Sequence, residues 1–164
     1  MKCLLAPIAV VAALALASCG SSSTLSSEQF TGLQDQGKQF AKSMETVGTD
    51  ASSCAAGASA GKGANTPPDA NIVKTCLASA LVKSQAGLTK IIDYTDNLAG
   101  EVDGTCSTDL KALSAAMTDV KATFAKAEAQ ARKLDLIKMQ ETLGTINATE
   151  ITNTGAAAEK SCKS

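Results

Sequence analysis

Apolar and small residues recur along residues 30–54 at steps that alternate between three and four. This spacing puts them on one face of an α-helix, as in a heptad seam that packs against neighbouring helices. The seam contains Phe30, Leu33, Gly37, Phe40, Met44, Val47, Ala51 and Cys54. Just before it, Ser26 and Gln29 have the spacing of a capping box, and Leu25 and Phe30 occupy the hydrophobic-staple positions. The pattern predicts a first helix that begins directly after this box.

A second helix is predicted after a loop at residues 57–68, which is rich in glycine and alanine. The run Thr66-Pro67-Pro68-Asp69 is typical of a helix start, with Thr66 as the N-cap, prolines in the first turn and an acid that suits the helix dipole. We expect this helix to reach about Leu98, with Gly100 as its C-terminal stop and Gly104 in the turn that follows. Its apolar face contains Val73, Leu77, Leu81, Leu88, Ile91, Ile92 and Leu98.

A third helix is predicted from Ser107, which is a suitable N-cap. Its seam contains Leu110, Leu113, Met117, Val120, Phe124, Ala127, Ala131 and Leu134. The next apolar set is out of register with this seam and contains Leu136, Met139, Leu143 and Ile146. We therefore expect a turn near residues 133–136, with Asp135 as a cap and a fourth helix after it; one long helix reaching Leu143 is the alternative. Residues 145–155 are rich in β-branched residues, so an interruption of the last helix is also expected.

Helical segments joined by short loops predict an all-α fold, an antiparallel up-down four-helix bundle. The aromatic content fits closely packed helices with a small-residue core, because the whole chain has three Phe, one Tyr and no Trp. Long alternations of apolar and polar residues, which would indicate strands, are absent from the sequence.

The N-terminus has the order of a signal peptide. Lys2 supplies a positive charge, an apolar run covers Leu4 to Ala15, and the run ends in Leu16-Ala17-Ser18-Cys19. The run is short for a transmembrane helix, which needs about 20 apolar residues. Its last four residues resemble the lipobox of bacterial lipoproteins. This resemblance implies cleavage after Ser18 and acylation of Cys19, which becomes the first residue of the mature protein.

The resemblance also implies where the protein resides. Two or three acyl chains make a stable membrane anchor, so we expect a bacterial cell-envelope protein, attached to the outer side of the cytoplasmic membrane or to the outer membrane. The expected organisation is a cleaved signal peptide at 1–18, the acylated cysteine with a flexible tether at 19–26, and a single helical domain at 27–164.

Four cysteines remain in the predicted bundle: Cys54, Cys76, Cys106 and Cys162. An even number outside the cytoplasm indicates two disulfides. In the up-down topology the first two lie at one end and the last two at the other, and roughly 30–40 Å of helix separates the ends. That distance is far beyond disulfide reach, so the predicted pairs are Cys54–Cys76 and Cys106–Cys162. A metal site is disfavoured, because the spacing Cys-x-x-Cys does not occur and the chain has no His.

Charge and motifs exclude several function classes. Without residues 1–18 the chain has 14 basic and 16 acidic residues, which gives no basis for nucleic-acid binding. The run Gly57 to Gly63 is one residue short of a phosphate loop and follows a helix, not a strand. Ser59 and Lys62 have the spacing of a Ser/Lys dyad, but the other elements of penicillin-binding enzymes are missing. Four acids near the second helix end fit a solvated surface better than a calcium loop; they are Asp93, Asp96, Glu101 and Asp103.

These observations predict a protein that is not an enzyme and that needs no cofactor or metal. The function we expect is that of a lipid-anchored interaction or assembly module, bound to the membrane through Cys19 and to another envelope protein through a helical face. Tyr94, the lone tyrosine, is a candidate anchor for that partner. The alternative is a small-molecule or lipid binder with a cavity between the helices, made possible by Gly37, Ser84 and inward alanines. An exposed apolar patch would favour the first function and an apolar cavity the second.

Overall fold

The computed structural model describes residues 23–59 and 69–163, and all regular structure in these ranges is helical. The helices, in chain order, are α1 (Ser27–Ser59), α2 (Ala70–Glu101), α3 (Gly104–Ala131), α4 (Leu136–Gly144) and α5 (Ala148–Cys162). The lipobox with Cys19 lies outside the described residues, as do Thr66 and most of the predicted loop at 57–68. The all-helical class predicted from the sequence is confirmed.

The start of α1 has the predicted capping box. The Ser26 N–H donates to Gln29 Oε1 at 2.9 Å, and the Gln29 N–H donates to Ser26 Oγ at 3.2 Å. Two N–H groups that the first helical turn cannot pair are satisfied in this way. Leu25, just before the box, is buried and its N–H donates to the Cys162 carbonyl at 3.0 Å. Leu25 therefore belongs to the folded domain, although the sequence analysis assigned it to the tether.

The start of α2 differs in detail from the expectation. Asp69 is the N-cap of this helix, and its carboxylate accepts from the N–H groups of Asn71 and Ile72. A carboxylate in this position satisfies two free N–H groups and also interacts favourably with the helix dipole. The residue pattern predicts Thr66 as the N-cap and Asp69 within the helix, so this prediction is wrong for Asp69.

The turn between α2 and α3 also corrects one prediction. The third helix begins at Gly104, which has a φ of +67°, and not at Ser107. Glycine adopts this left-handed backbone without steric cost, so the chain can reverse within two residues of α2. Ser107 lies inside α3, where its buried hydroxyl donates to the Ala99 carbonyl at 2.7 Å. Ser107 thus joins α3 to the end of α2, where it satisfies a carbonyl of the last turn, and it is not the N-cap of α3.

A sharp turn ends α3 at the predicted place, since α4 begins at Leu136. Leu134 takes a left-handed conformation there, with φ 58°, and Asp135 caps α4 by accepting from the Lys138 N–H at 3.3 Å. Leu134 is 36% exposed, so it is not the last seam residue of α3. The alternative of one helix reaching Leu143 is wrong. The predicted fourth helix is divided into α4 and α5, with Asn147 as the N-cap of α5.

The core follows the predicted seams. In α3 the seam residues from Leu110 to Ala131 are all buried, and Leu110 and Phe124 are at most 1% exposed. The most buried leucine of α2, Leu88, belongs to the same core cluster. The seam positions Met44, Val47 and Ala51 of α1 lie outside the described side chains. Burial of the α2 and α3 seams makes these two helices the centre of the molecule, against which the others pack.

Both predicted disulfides are present. Cys54 and Cys76 join the end of α1 to the start of α2, with a Cα–Cα distance of 5.6 Å. Cys106 and Cys162 join the start of α3 to the end of α5, with a Cα–Cα distance of 4.7 Å. The described structure is therefore a helical bundle braced at two places, and each brace closes a loop whose entropy would otherwise favour unfolding.

Candidate functional site

The helices pack in a chain that leaves one side of the bundle open. Helix α1 packs on α2, α2 on α3, and α3 on both α4 and α5, whereas the described parts of α1 and α5 do not pack closely along their backbones. Between these two helices lies a cleft of about 250 Å³. We call this feature the open cleft.

The open cleft has apolar walls and an apolar floor. Its floor is formed by Ile91 of α2 with Leu113 and Met117 of α3. Its walls are lined by Phe30, Leu33, Gln34, Gly37 and Phe40 of α1 and by Ile151, Gly155 and Glu159 of α5. An apolar cavity of roughly 150 Å³ is enough to admit a benzene molecule. The open cleft can therefore hold a slim apolar group.

A hydrogen bond between two polar side chains crosses the cleft from α1 to α5. The Gln34 Nε2 group donates to Glu159 Oε1 at 3.2 Å, and both side chains are exposed. Glu159 is the one charged residue among those that line the cleft in the described part of the chain. The contact bridges α1 and α5 near the end at which Leu25 is bonded to Cys162.

Two glycines line the cleft and have open space beside them. A Cβ atom added at Gly37 or at Gly155 would have no neighbouring atom within 4 Å. Glycine inside a helix costs about 1 kcal/mol relative to alanine, and close packing does not require it at either position. Gly155 was not singled out from the sequence, because the surrounding Thr and Asn residues mask its place on the inner face of α5.

Ser84 does not line the open cleft but another recess. Its buried hydroxyl donates to the Ala80 carbonyl at 3.0 Å, within α2. Ser84 borders a separate polar recess between α1 and α2 together with Lys42 and Lys83. Both residues expected to border an interhelical cavity therefore do so, but Gly37 and Ser84 lie in two different recesses.

Tyr94 contacts α1 within the bundle. Its hydroxyl donates to the Gln29 carbonyl at 3.2 Å, and the ring lies against Gly32, where an added Cβ would meet the hydroxyl. Burial raises the pKa of the Tyr94 hydroxyl, and the nearby carboxylates of Glu101 and Glu28 raise it further. These contacts use the polar tip of Tyr94 to join α1 and α2.

A second apolar feature is exposed at the turn between α3 and α4. Leu134, Leu136 and Ile137 are 36%, 42% and 74% exposed. We call these three residues the distal patch, because α3 separates them from the Leu25 end of the bundle. The 28 residues of α3 span about 40 Å at 1.5 Å per residue. In the sequence, this patch lies where the apolar set that begins at Leu136 goes out of register with the seam of α3.

The acidic residues near the end of α2 lie on the surface of the bundle. Asp93, Asp96, Glu101 and Asp103 are all exposed, and Glu101 accepts a hydrogen bond from Gln29 Nε2 at 2.5 Å. Within residues 23–59 and 69–163, His, Cys, Asp and Glu side chains form no group of three that could hold a metal ion. The described helices also include none that is long and apolar enough to cross a membrane. Lys62 lies outside the described residues.

Comparison with known proteins finds no relative. No family model matches the chain, and neither the curated proteins nor the solved structures contain a match.

Proposed function

We propose that this chain is a non-catalytic lipoprotein of the bacterial cell envelope that acts as a helical interaction module. The anchor part of the proposal is supported by the resemblance of Leu16-Ala17-Ser18-Cys19 to a lipobox. In this account residues 1–18 are removed, Cys19 is acylated, and the bundle is tethered to the outer side of the cytoplasmic membrane or to the outer membrane.

We further propose that α4 and α5 together act as the fourth helix of an antiparallel up-down bundle. The reversal at Leu134 and the disulfide between Cys106 and Cys162 support this topology. In this arrangement the N-terminus of α1 and the C-terminus of α5 share the membrane-proximal end, and the distal patch lies at the other end.

The position of the distal patch is the observation that carries the interaction function. Cys19 precedes the buried Leu25 by six residues, which can span at most about 20 Å. The anchor therefore holds the Leu25 end close to the bilayer, and the patch lies about 40 Å away along α3. Exposed apolar residues at the end of the bundle away from the anchor suit a protein partner. The partner is a second envelope protein with a complementary apolar surface.

Photo-crosslinking in living cells tests this function. We expect p-benzoylphenylalanine in place of Ile137 to give a discrete crosslinked protein, because this side chain is 74% exposed. The same group in place of Lys138, which is exposed on the other side of the same helix, is the matched control. Equal crosslinking at the two positions would refute the distal patch as an interface.

A second candidate function is the binding of a small molecule or lipid between the helices. The open cleft favours it, since the cleft is apolar and has open space beside Gly37 and Gly155. The two functions are compatible, because the open cleft and the distal patch involve different residues.

A further inference from the structure

The shape of the open cleft suits one linear hydrocarbon chain. Its α1 wall runs from Phe30 to Phe40, which is ten residues and therefore about 15 Å along the helix. Its volume of about 250 Å³ is below the 300–1,000 Å³ that is usual for drug-sized ligands. Because this modest volume extends over about 15 Å and its lining is apolar, the cleft favours an extended hydrocarbon chain.

The charge at the cleft disfavours a free fatty acid. Glu159 carries the one charge among the described lining residues, and that charge is negative. The carboxylate of a fatty acid at this place would meet a like charge. A chain linked through an uncharged ester or amide avoids this repulsion. The chains attached to an acylated cysteine have such linkages.

The N-terminal segment can deliver that chain. Leu25 is buried, and its N–H is bonded to the Cys162 carbonyl beside the near end of the cleft. The six residues from Cys19 to Leu25 reach at most about 20 Å, which covers the distance to Phe30, one and a half turns along α1. A chain attached to Cys19 binds intramolecularly, at an effective concentration of about millimolar for a short tether.

We propose that the open cleft holds one hydrocarbon chain of the lipid on Cys19, while the remaining chains stay in the bilayer. This inference rests on the acylation proposed above. It adds a second point of attachment near the Leu25 end of the bundle, so that the lipid restricts the orientation of the protein as well as its location.

The test uses the full chain in cells grown with an alkyne-labelled fatty acid. The photoreactive residue p-benzoylphenylalanine replaces Phe40, a conservative change in the cleft wall, or Ala41, which is exposed beside it. After irradiation, mass spectrometry quantifies peptides joined to the labelled Cys19 peptide. We expect at least tenfold more of this crosslink from position 40 than from position 41.

A cleft-filling variant provides the second measurement. Gly155→Leu places a side chain in the empty space of the cleft and should reduce the crosslink from position 40 at least tenfold. Gly144→Leu is the control, because a Cβ at Gly144 also meets no atom within 4 Å and Gly144 does not line the cleft.

The outcomes separate this inference from the function on which it rests. Acylated Cys19 with equal crosslinking at positions 40 and 41, or crosslinks from position 40 to phospholipid or to another protein, would overturn the inference and leave the anchor standing. An unacylated Cys19 peptide would overturn both. Insensitivity of the crosslink to Gly155→Leu would show that the chain lies outside the cleft.

Discussion

Two glycines of α1 are predicted to respond oppositely to the same substitution. Replacing Gly37 by alanine adds a Cβ to empty space, so the variant should gain the helix-propensity difference of about 1 kcal/mol in free energy of unfolding. Replacing Gly32 by alanine should raise the free energy of unfolding by the same amount through helix propensity. At Gly32, however, the new Cβ meets the hydroxyl of Tyr94, which has to move.

The penalty at Gly32 can be worked out from the contacts of Tyr94. Movement of the ring breaks the hydrogen bond from its hydroxyl to the Gln29 carbonyl, which is worth about 0.5–1.5 kcal/mol. It also exposes part of the ring, at a further cost of about 1 kcal/mol for some 40 Å² of apolar surface. The sum exceeds the propensity gain, so Gly32→Ala should be about 2 kcal/mol less stable than Gly37→Ala.

Urea unfolding followed by circular dichroism, with both disulfides intact, measures these differences. In a Tyr94→Phe background the hydroxyl is gone, and the nearest ring atom, Cζ, lies 3.1 Å from the added Cβ. The gap between the two alanine variants should then shrink by about 1 kcal/mol, the value of the lost hydrogen bond. Equal stabilisation by Gly32→Ala and Gly37→Ala would refute the reasoning, because it would mean that Tyr94 does not occupy the space beside Gly32.

Three further predictions follow from local contacts. Graded reduction should open Cys54–Cys76 before Cys106–Cys162, because a thiolate must reach the sulfur and Cys76 is half-buried whereas Cys106 and Cys162 are buried. Mapping of alkylated peptides measures the order in which the two disulfides open. Simultaneous opening of both disulfides would contradict this prediction. Leu134→Gly should have a free energy of unfolding up to about 1 kcal/mol higher than Leu134→Ala, because both variants remove the side chain but only glycine removes the cost of φ 58°. A thermal unfolding measurement that finds the alanine variant the more stable of the two would speak against this strain. Hydrogen bonds from Gln85, and then from Arg132, lower the pKa of Glu128 below its ordinary 4.5. The contribution of ionised Glu128 to the free energy of unfolding should therefore be present above pH 4.5 and disappear as the pH falls through the lowered pKa. The difference in free energy of unfolding between the wild type and Glu128→Gln should narrow over the same pH range. A difference that does not change with pH would refute this prediction.

Much of the fold was predictable because its signals are local. The capping box at Ser26 and Gln29 depends on four consecutive residues, and the seam of α3 depends on regular spacing. The disulfide pairs followed from these elements, since the helices alone separate the cysteines into two ends. These disulfide pairs can be predicted without knowledge of how the side chains pack.

The features that were missed depend on tertiary contacts. Ser107 is a good cap by its residue type, but the reversal at Gly104 extends α3 and brings the hydroxyl to the Ala99 carbonyl instead. Ser84 is small and on an inward face, yet it borders a different recess from Gly37. The width of the cleft between α1 and α5 depends on how α1 sits against α2, which the spacing of apolar residues does not specify.

The intact mass of the protein extracted from membranes, before and after reduction and alkylation, tests the central claim most directly. The account predicts a chain that begins at Cys19 and carries two or three acyl chains, with four cysteines that react only after reduction. A chain that retains residues 1–18 without an acyl group would contradict the account, and so would four thiols that react before reduction.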